Sequence, residues 1–347
     1  MKRSALLSVL VPFLGAAILS GCSYLVDEDT SDCGGALRID YRLRLVTNRL
    51  TELETVLPAE EDIPVAEALR SYLEPVFTDV AHDVDLSFYE TVGSRLEHLN
   101  AIMDKDQFDC SLYLPAQTIR HACTANVADC GPVTLEEDAA WPTAWLHVNA
   151  ENGQTEPQRT GLFTGRLTME IPANADAHFN VDLYMVNAAT ALVLETKDAA
   201  GIGGIQAYVT GFADGFQLSD STYRYSANPV VKADLLAVET GTQECYASVN
   251  FPSKDYRPGT RLIEETVEPF LSENAPDPLW EWRVYVQAAD GTVTESVLAV
   301  MTPLRAGQLK ILKAIVHDTG VVSAEDPNVG VSVTLDWNPG MDHNLEL

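Results

Sequence analysis

Residues 37–45 read Leu37-Arg38-Ile39-Asp40-Tyr41-Arg42-Leu43-Arg44-Leu45. Successive side chains of an extended chain point to opposite faces, so this unbroken alternation of apolar and polar residues specifies a strand with one buried face. Leu37, Ile39, Tyr41, Leu43 and Leu45 form the inward row, and Arg38, Asp40, Arg42 and Arg44 the solvent row. The same period returns at 84–88, 167–171, 179–183, 245–251, 280–286 and 329–337, the last stopping at Pro339-Gly340. Asp290-Gly291 is a hairpin turn signal ahead of a further strand at 292–300.

Helical spacing is scarce. Val65, Leu69, Tyr72, Leu73 and Val76 recur on one helical face behind Asp62 and Pro64, a cap and a first-turn proline. Shorter helices are expected at 47–57 and 261–267. Many short strands, few helices and no strand–helix alternation argue for an all-β chain of sandwich domains rather than a doubly wound parallel sheet. A length of 347 residues suits about two such domains in tandem. The stretch Pro172-Ala173-Asn174-Ala175-Asp176 sets the expected boundary: an N-terminal domain over 36–175, with a small helical insert, and a C-terminal domain over 176–347.

The first 21 residues differ in character. Lys2 and Arg3 precede an apolar run over 5–19, a basic n-region and a secretory h-region. The run is short for a membrane span and is interrupted by Pro12 and Gly15. It ends in Leu19-Ser20-Gly21-Cys22, which resembles a bacterial lipobox: cleavage between Gly21 and Cys22 leaves a diacylglycerol-bearing Cys22 at the mature N-terminus. Each buried acyl methylene contributes about 0.8 kcal/mol, so several chains hold a folded body firmly on a membrane. That covalent lipid is the only prosthetic group expected. Residues 22–35 form a polar, acidic linker, and acidic residues placed after the cysteine resemble the surface-export signals of Bacteroidota lipoproteins.

Acidic side chains number 51 against 22 basic, a formal charge of −29, which repels phosphate backbones and argues against a nucleic-acid partner. Six cysteines occur, and with Cys22 lipidated at least one of Cys33, Cys110, Cys123, Cys130 and Cys245 is unpaired. The turn Pro115-Ala116-Gln117-Thr118 lies between alternating segments, and a hairpin centred there sets Cys110 opposite Cys123 with Cβ atoms about 5 Å apart. A disulfide there, two buried thiols, or a pairing with Cys130 all remain open.

Catalytic motifs are missing from the sequence. Gly201-Ile202-Gly203-Gly204 lacks the third glycine of a dinucleotide loop and reads as a turn, and no GxSxG, HExxH, P-loop or EF-hand pattern occurs. His121 sits on an alternating segment as a core residue, and Asp104 and Asp106 flank Lys105 at a solvated turn. No catalytic residue, metal ligand or small-molecule substrate is expected. Trp280 and Trp282 share an inward face, whereas Trp141 and Trp145 lie in a less regular stretch and offer a surface for stacking on glycans.

Together the lipobox, Ser31-Asp32-Cys33, Leu112-Tyr113-Leu114-Pro115-Ala116, Thr164-Gly165-Arg166-Leu167 and the segment 329–340 resemble the fimbrial anchor and minor-subunit lipoproteins of Bacteroidales. The helical stretch near 47–80 and the extra cysteines depart from that family's pattern. The resemblance implies two transthyretin-like β-sandwiches and a lipid-anchored place at the outer-membrane surface. It further implies assembly with pilin subunits by donor-strand complementation, in which one subunit's strand completes another's open sheet. An anchor of this kind keeps its first strand, here the row Leu37, Ile39, Tyr41, Leu43 and Leu45. Arg38, Arg42, Arg44 and Arg49 are candidate cleavage points or simply solvent-facing charges. The alternative is a surface lipoprotein that binds glycans through exposed aromatics.

Overall fold

The computed structural model describes residues 37–46, 57, 59, 62–77, 81, 83–102, 109–136, 139–173, 175, 177–196, 201–238, 241–254, 279–326 and 329–334. The first sheet has seven strands in the order β3-β2-β5-β9-β10-β1-β4. These are β1 (Leu37–Val46), β2 (Asp83–Glu90), β3 (Arg95–Ile102), β4 (Asp109–Leu114), β5 (Thr118–Ala125), β9 (Phe163–Glu170) and β10 (Ala177–Met185). β9 and β10 pair only at Tyr184↔Thr164 and Met185↔Phe163, and the sheet folds over at that joint. The two wings share one core, with Ile39, Leu112 and Val181 from one and Val84, Phe88 and Ile119 from the other.

A second sandwich packs a five-stranded sheet on a six-stranded one. The five-stranded sheet contains β11 (Ala188–Glu195), β16 (Asp234–Leu236), β17 (Gln243–Asn250), β20 (Leu309–Val316) and β21 (Val322–Ala324). The six-stranded sheet contains β8 (Gln154–Thr155), β12 (Ile202–Thr210), β15 (Val230–Lys232), β18 (Trp280–Ala288), β19 (Val293–Val300) and β22 (Val329–Thr334). Leu192, Leu312 and Ala314 meet Val209, Trp282, Val284 and Leu298 between them. Trp280 and Trp282 are core residues, as their inward face predicts; each indole N–H is satisfied, by the Thr302 carbonyl at 2.9 Å and by Thr190 Oγ1 at 3.3 Å. The all-β sandwich expectation holds.

The helix α1 (Ile63–Leu73) starts with Pro64 in its first turn. Its buried face, Val65, Leu69 and Leu73, covers the outer side of the second sandwich's five-stranded sheet, against Ala191, Val193, Cys245, Ala247 and Ile311. The insert is therefore not confined to the first domain, as its position in the chain suggests, but clamps the second. Asp62 does not cap it with its side chain. Fully buried, its carboxylate instead accepts from Lys313 Nζ at 3.1 Å and Gln243 Nε2 at 3.2 Å, because a buried charge must be paired. At the other end the Tyr72 hydroxyl donates to Asp234 at 2.8 Å, and Arg159 pairs with the same carboxylate. Burial, then the Asp234 charge, pushes the Tyr72 hydroxyl's pKa upward, so it stays a donor.

The expected boundary at 175/176 is corrected. β10 follows it in sequence, yet pairs with β1 and β9 and belongs to the first sandwich, so 172–176 connects two strands of one sheet. Conversely, a four-stranded sheet mixes the halves: β6 (Val133–Leu135) and β7 (Trp145–Val148) pair with β13 (Gly215–Gln217) and β14 (Thr222–Arg224) in the order β14-β13-β7-β6. Asn187 sits at the junction, fully buried, and bonds Gln158 Oε1, the Thr160 carbonyl and the Leu162 N–H at 2.8–3.2 Å. These bonds tie the 158–162 segment to the residue just before β11.

Candidate functional site: the first strand in its groove

β1 lies between two partners. It runs parallel to β10 from Ile39↔Ala177 to Val46↔Tyr184 and antiparallel to β4 from Leu37↔Leu114 to Arg42↔Asp109. Ile39 is 0% and Leu43 3% exposed, filling the core beside Leu112, Leu114, Val181 and Leu183. Arg38 and Arg42 are exposed, and Arg38 pairs with Asp40 at 3.3 Å on the solvent side. Such exposed pairs contribute little, so the strand is held by its inward row and its two hydrogen-bonded edges. Taking it out would open a groove with two unpaired strand edges and an uncovered apolar floor. The side chains of Leu37, Tyr41, Arg44 and Leu45, like Gly21, Cys22 and Arg49 altogether, lie outside the described residues.

The hairpin expected to bring Cys110 opposite Cys123 does not form. β4 pairs with β1, Cys110 opposite Tyr41, while β5 lies between β2 and β9, Cys123 opposite Leu86 and Gly165. Alternation fixes which face a residue takes but not which strand becomes its neighbour, so the connection at 115–117 crosses between wings. The side chain of Cys110 lies outside the described residues, and the proposed bridge loses its register argument. Cys130 and Cys245 are buried thiols whose pKa values burial pushes up to about 12. His121 is a core residue as expected, stacked on Phe88 at 4.4 Å with Nδ1 3.0 Å from the Ser87 carbonyl. Burial lowers its pKa to about 4, so the ring is neutral.

Trp141 and Trp145 are both half-buried. Trp141 packs edge-on to Tyr89 at 5.3 Å and lies under Arg120, so it belongs partly to the core. Trp145 stands on the outer face of the four-stranded sheet with the Arg224 guanidinium carbon 5.2 Å from its ring centre. Around it runs a polar chain: Glu136 Oε2 lies 3.1 Å from His147 Nε2, and His147 Nδ1 lies 3.3 Å from Arg224 Nη2. Arg224 Nε in turn lies 3.4 Å from Asp214 Oδ1. Burial raises the Asp214 pKa, but bonds from Ser226 and Ala227 and the Arg224 charge outweigh it and hold the carboxyl below its ordinary value. The Trp145/His147 alternation marks these two in the sequence, whereas Arg224, Asp214 and Glu136 join them only through strand pairing.

No family model and no curated protein matches the chain. Solved structures do. A Bacteroides ovatus protein described as a candidate adhesin superimposes with a TM-score of 0.51 at 11% identity, covering 81% of this chain and 88% of that one. A second B. ovatus candidate adhesin gives 0.50 at 9% identity over 88% and 96%. The chain shares their fold. The fimbrial anchor protein Mfa2 from Porphyromonas gingivalis gives a TM-score of 0.47 at 7% identity, covering 86% of this chain and 99% of it.

Proposed function

We propose that this chain is a non-enzymatic outer-membrane lipoprotein of the cell surface, an anchor or accessory subunit of a fimbrium that joins pilin subunits by strand complementation. The observation that carries the reading is the place of β1. It is the first described strand, it runs between β10 and β4 rather than along an edge, and its inward row supplies part of the core. A strand so placed is what a neighbouring subunit would have to provide if it were absent, since both flanking edges need hydrogen-bond partners. The lipobox ending at Cys22 supplies the tether, and the adhesin descriptions of two proteins of the same fold agree with a role at the cell surface.

Mass spectrometry of the native N-terminus is the test. An acylated Cys22 followed by an intact 37–46 segment is expected for an anchor. A chain starting after Arg44 or Arg49 would replace the anchor with a processed shaft subunit, and an unacylated chain would remove the lipid tether. Cys22→Ala should move the protein from the membrane pellet to the soluble fraction.

A further inference from the structure

The outer face of the four-stranded sheet carries an ordered set of polar and aromatic side chains. Strand alternation and register place Thr134, His147, Gly215 and Arg224 in one row across it, and Trp145, Gln217 and Thr222 in the next, with Glu136 beside Trp145. The opposite face, Leu135, Leu146, Phe216 and Tyr223, belongs to a core cluster, so the sheet is anchored from behind. Gly215 is the low point of the outer face. A Cβ there would stand 3.0 Å from the Leu146 carbonyl oxygen and 3.6 Å from Arg224 Nε and Nη2. The tight approach is to the Leu146 carbonyl of the neighbouring strand, while the guanidinium passes over Gly215 at ordinary contact distance on its way to His147 and Trp145.

We infer that this face binds a neutral glycan, one hexopyranose ring stacking on the side of Trp145 not covered by the Arg224 guanidinium while Arg224, Glu136 and Gln217 bond its hydroxyls. A sugar presents an apolar C–H face edged by hydroxyls that both donate and accept. A half-exposed indole flanked by a guanidinium, a carboxylate and an amide meets each of those demands. The polar groups are also pre-positioned. Asp214, only 3% exposed and bonded by Ser226 and Ala227, fixes Arg224. Arg224 donates to His147 Nδ1, which puts the imidazole proton on Nε2, where it donates to Glu136. The Gln217 amide nitrogen donates to the Pro142 carbonyl at 2.7 Å and Ser219 Oγ at 2.9 Å, which orients its oxygen as the acceptor. Groups held in this way lose little freedom when a ligand arrives. Charge selects the neutral class: Asp214 pairs with Arg224, Glu136 and Asp220 add carboxylates on His147 and Thr222, and a net charge of −29 repels an acidic sugar.

This site is independent of the fimbrial reading, because neither the lipid nor β1 contributes to it. The test is titration calorimetry of the full chain with cellotetraose, mannotetraose and galactotetraose, and with tetragalacturonate as the acidic comparison. At least one neutral tetraose should bind at millimolar or lower concentration. Trp145→Ala should weaken it by about tenfold, and Trp145→Phe, which keeps a stacking ring, should retain most of the affinity. The surface changes Glu136→Gln and Gln217→Ala, with melting temperatures checked against wild type, should each weaken it about threefold or more by removing one hydrogen-bonding group. No binding of any neutral tetraose, binding of the galacturonate alone, or undiminished affinity in folded Trp145→Ala, Glu136→Gln and Gln217→Ala proteins would overturn the inference.

Discussion

Truncating Ile39 to alanine tests whether β1 is part of the fold or merely laid on it. The side chain is fully buried, flanked in register by Leu112 on β4 and Ala177 on β10, and set in the core of the first sandwich. Its two neighbours belong to paired strands that cannot collapse freely into the space left behind. Removing three buried carbons from such a site costs about 2–5 kcal/mol, part lost transfer energy and part cavity. A central loss of about 3 kcal/mol lowers the melting temperature of a unit this size by roughly 6–12 °C. Arg42→Ala, on the exposed face of the same strand, should stay within about 0.5 kcal/mol of wild type. Circular dichroism melts of the two variants, with trypsin cleavage at Arg38 and Arg42 as a second reading, separate the cases. An Ile39→Ala protein that melts with the wild type and resists trypsin equally would refute the argument, since the strand would then contribute nothing to the core. If the argument holds, a chain beginning at residue 47 should regain stability when a synthetic 37–46 peptide is added, and a peptide carrying Ile39→Lys should fail.

Lys313→Met leaves the fully buried Asp62 without its cation and should cost about 3–5 kcal/mol in urea unfolding, whereas adding Asp62→Leu should recover much of that loss. Gly161→Ala would set a Cβ 2.1 Å from the Val76 carbonyl oxygen, so the segment just after α1 must shift; a lowered melting temperature, or Cys245 becoming reactive to a thiol reagent, would report the displacement. Wild-type Cys245, buried under α1 with its pKa pushed up to about 12, should not react. His121 binds its proton near pH 6.5 when unfolded and only near 4 when folded, so its contribution to stability is complete above 6.5 and is lost as pH falls toward 4. The slope in that window is up to about 1.4 kcal/mol per pH unit, and His121→Gln, which keeps a donor for the Ser87 carbonyl, should flatten it in pH-dependent denaturation.

Several elements were legible in the sequence for simple reasons. A strand with one face in the core and one in water must alternate, so β1, β18 and β22 announce themselves, as do the inward tryptophans. β11 does not, because one of its faces packs on the second sandwich's core and the other on α1; its run Ala188-Ala189-Thr190-Ala191-Leu192-Val193-Leu194 is apolar but for the buried Thr190 and has no period to read. Helical spacing located α1 and its Pro64, but not what it covers. Asp62 has the sequence signature of a cap, yet the partner that claims its carboxylate, Lys313, lies 251 residues away.

The sequence by itself determined that this chain is built of strands, and it supplied the inward row of β1 and the lipobox motif, because local alternation and short motifs are properties of consecutive residues. Only the tertiary structure decided that β10 joins the first sandwich, that Cys110 and Cys123 sit on strands that do not pair, and that Trp145 meets Arg224. Strand pairing is chosen by hydrogen-bonding edges and core shape contributed by distant segments, and no window of neighbouring residues contains that information.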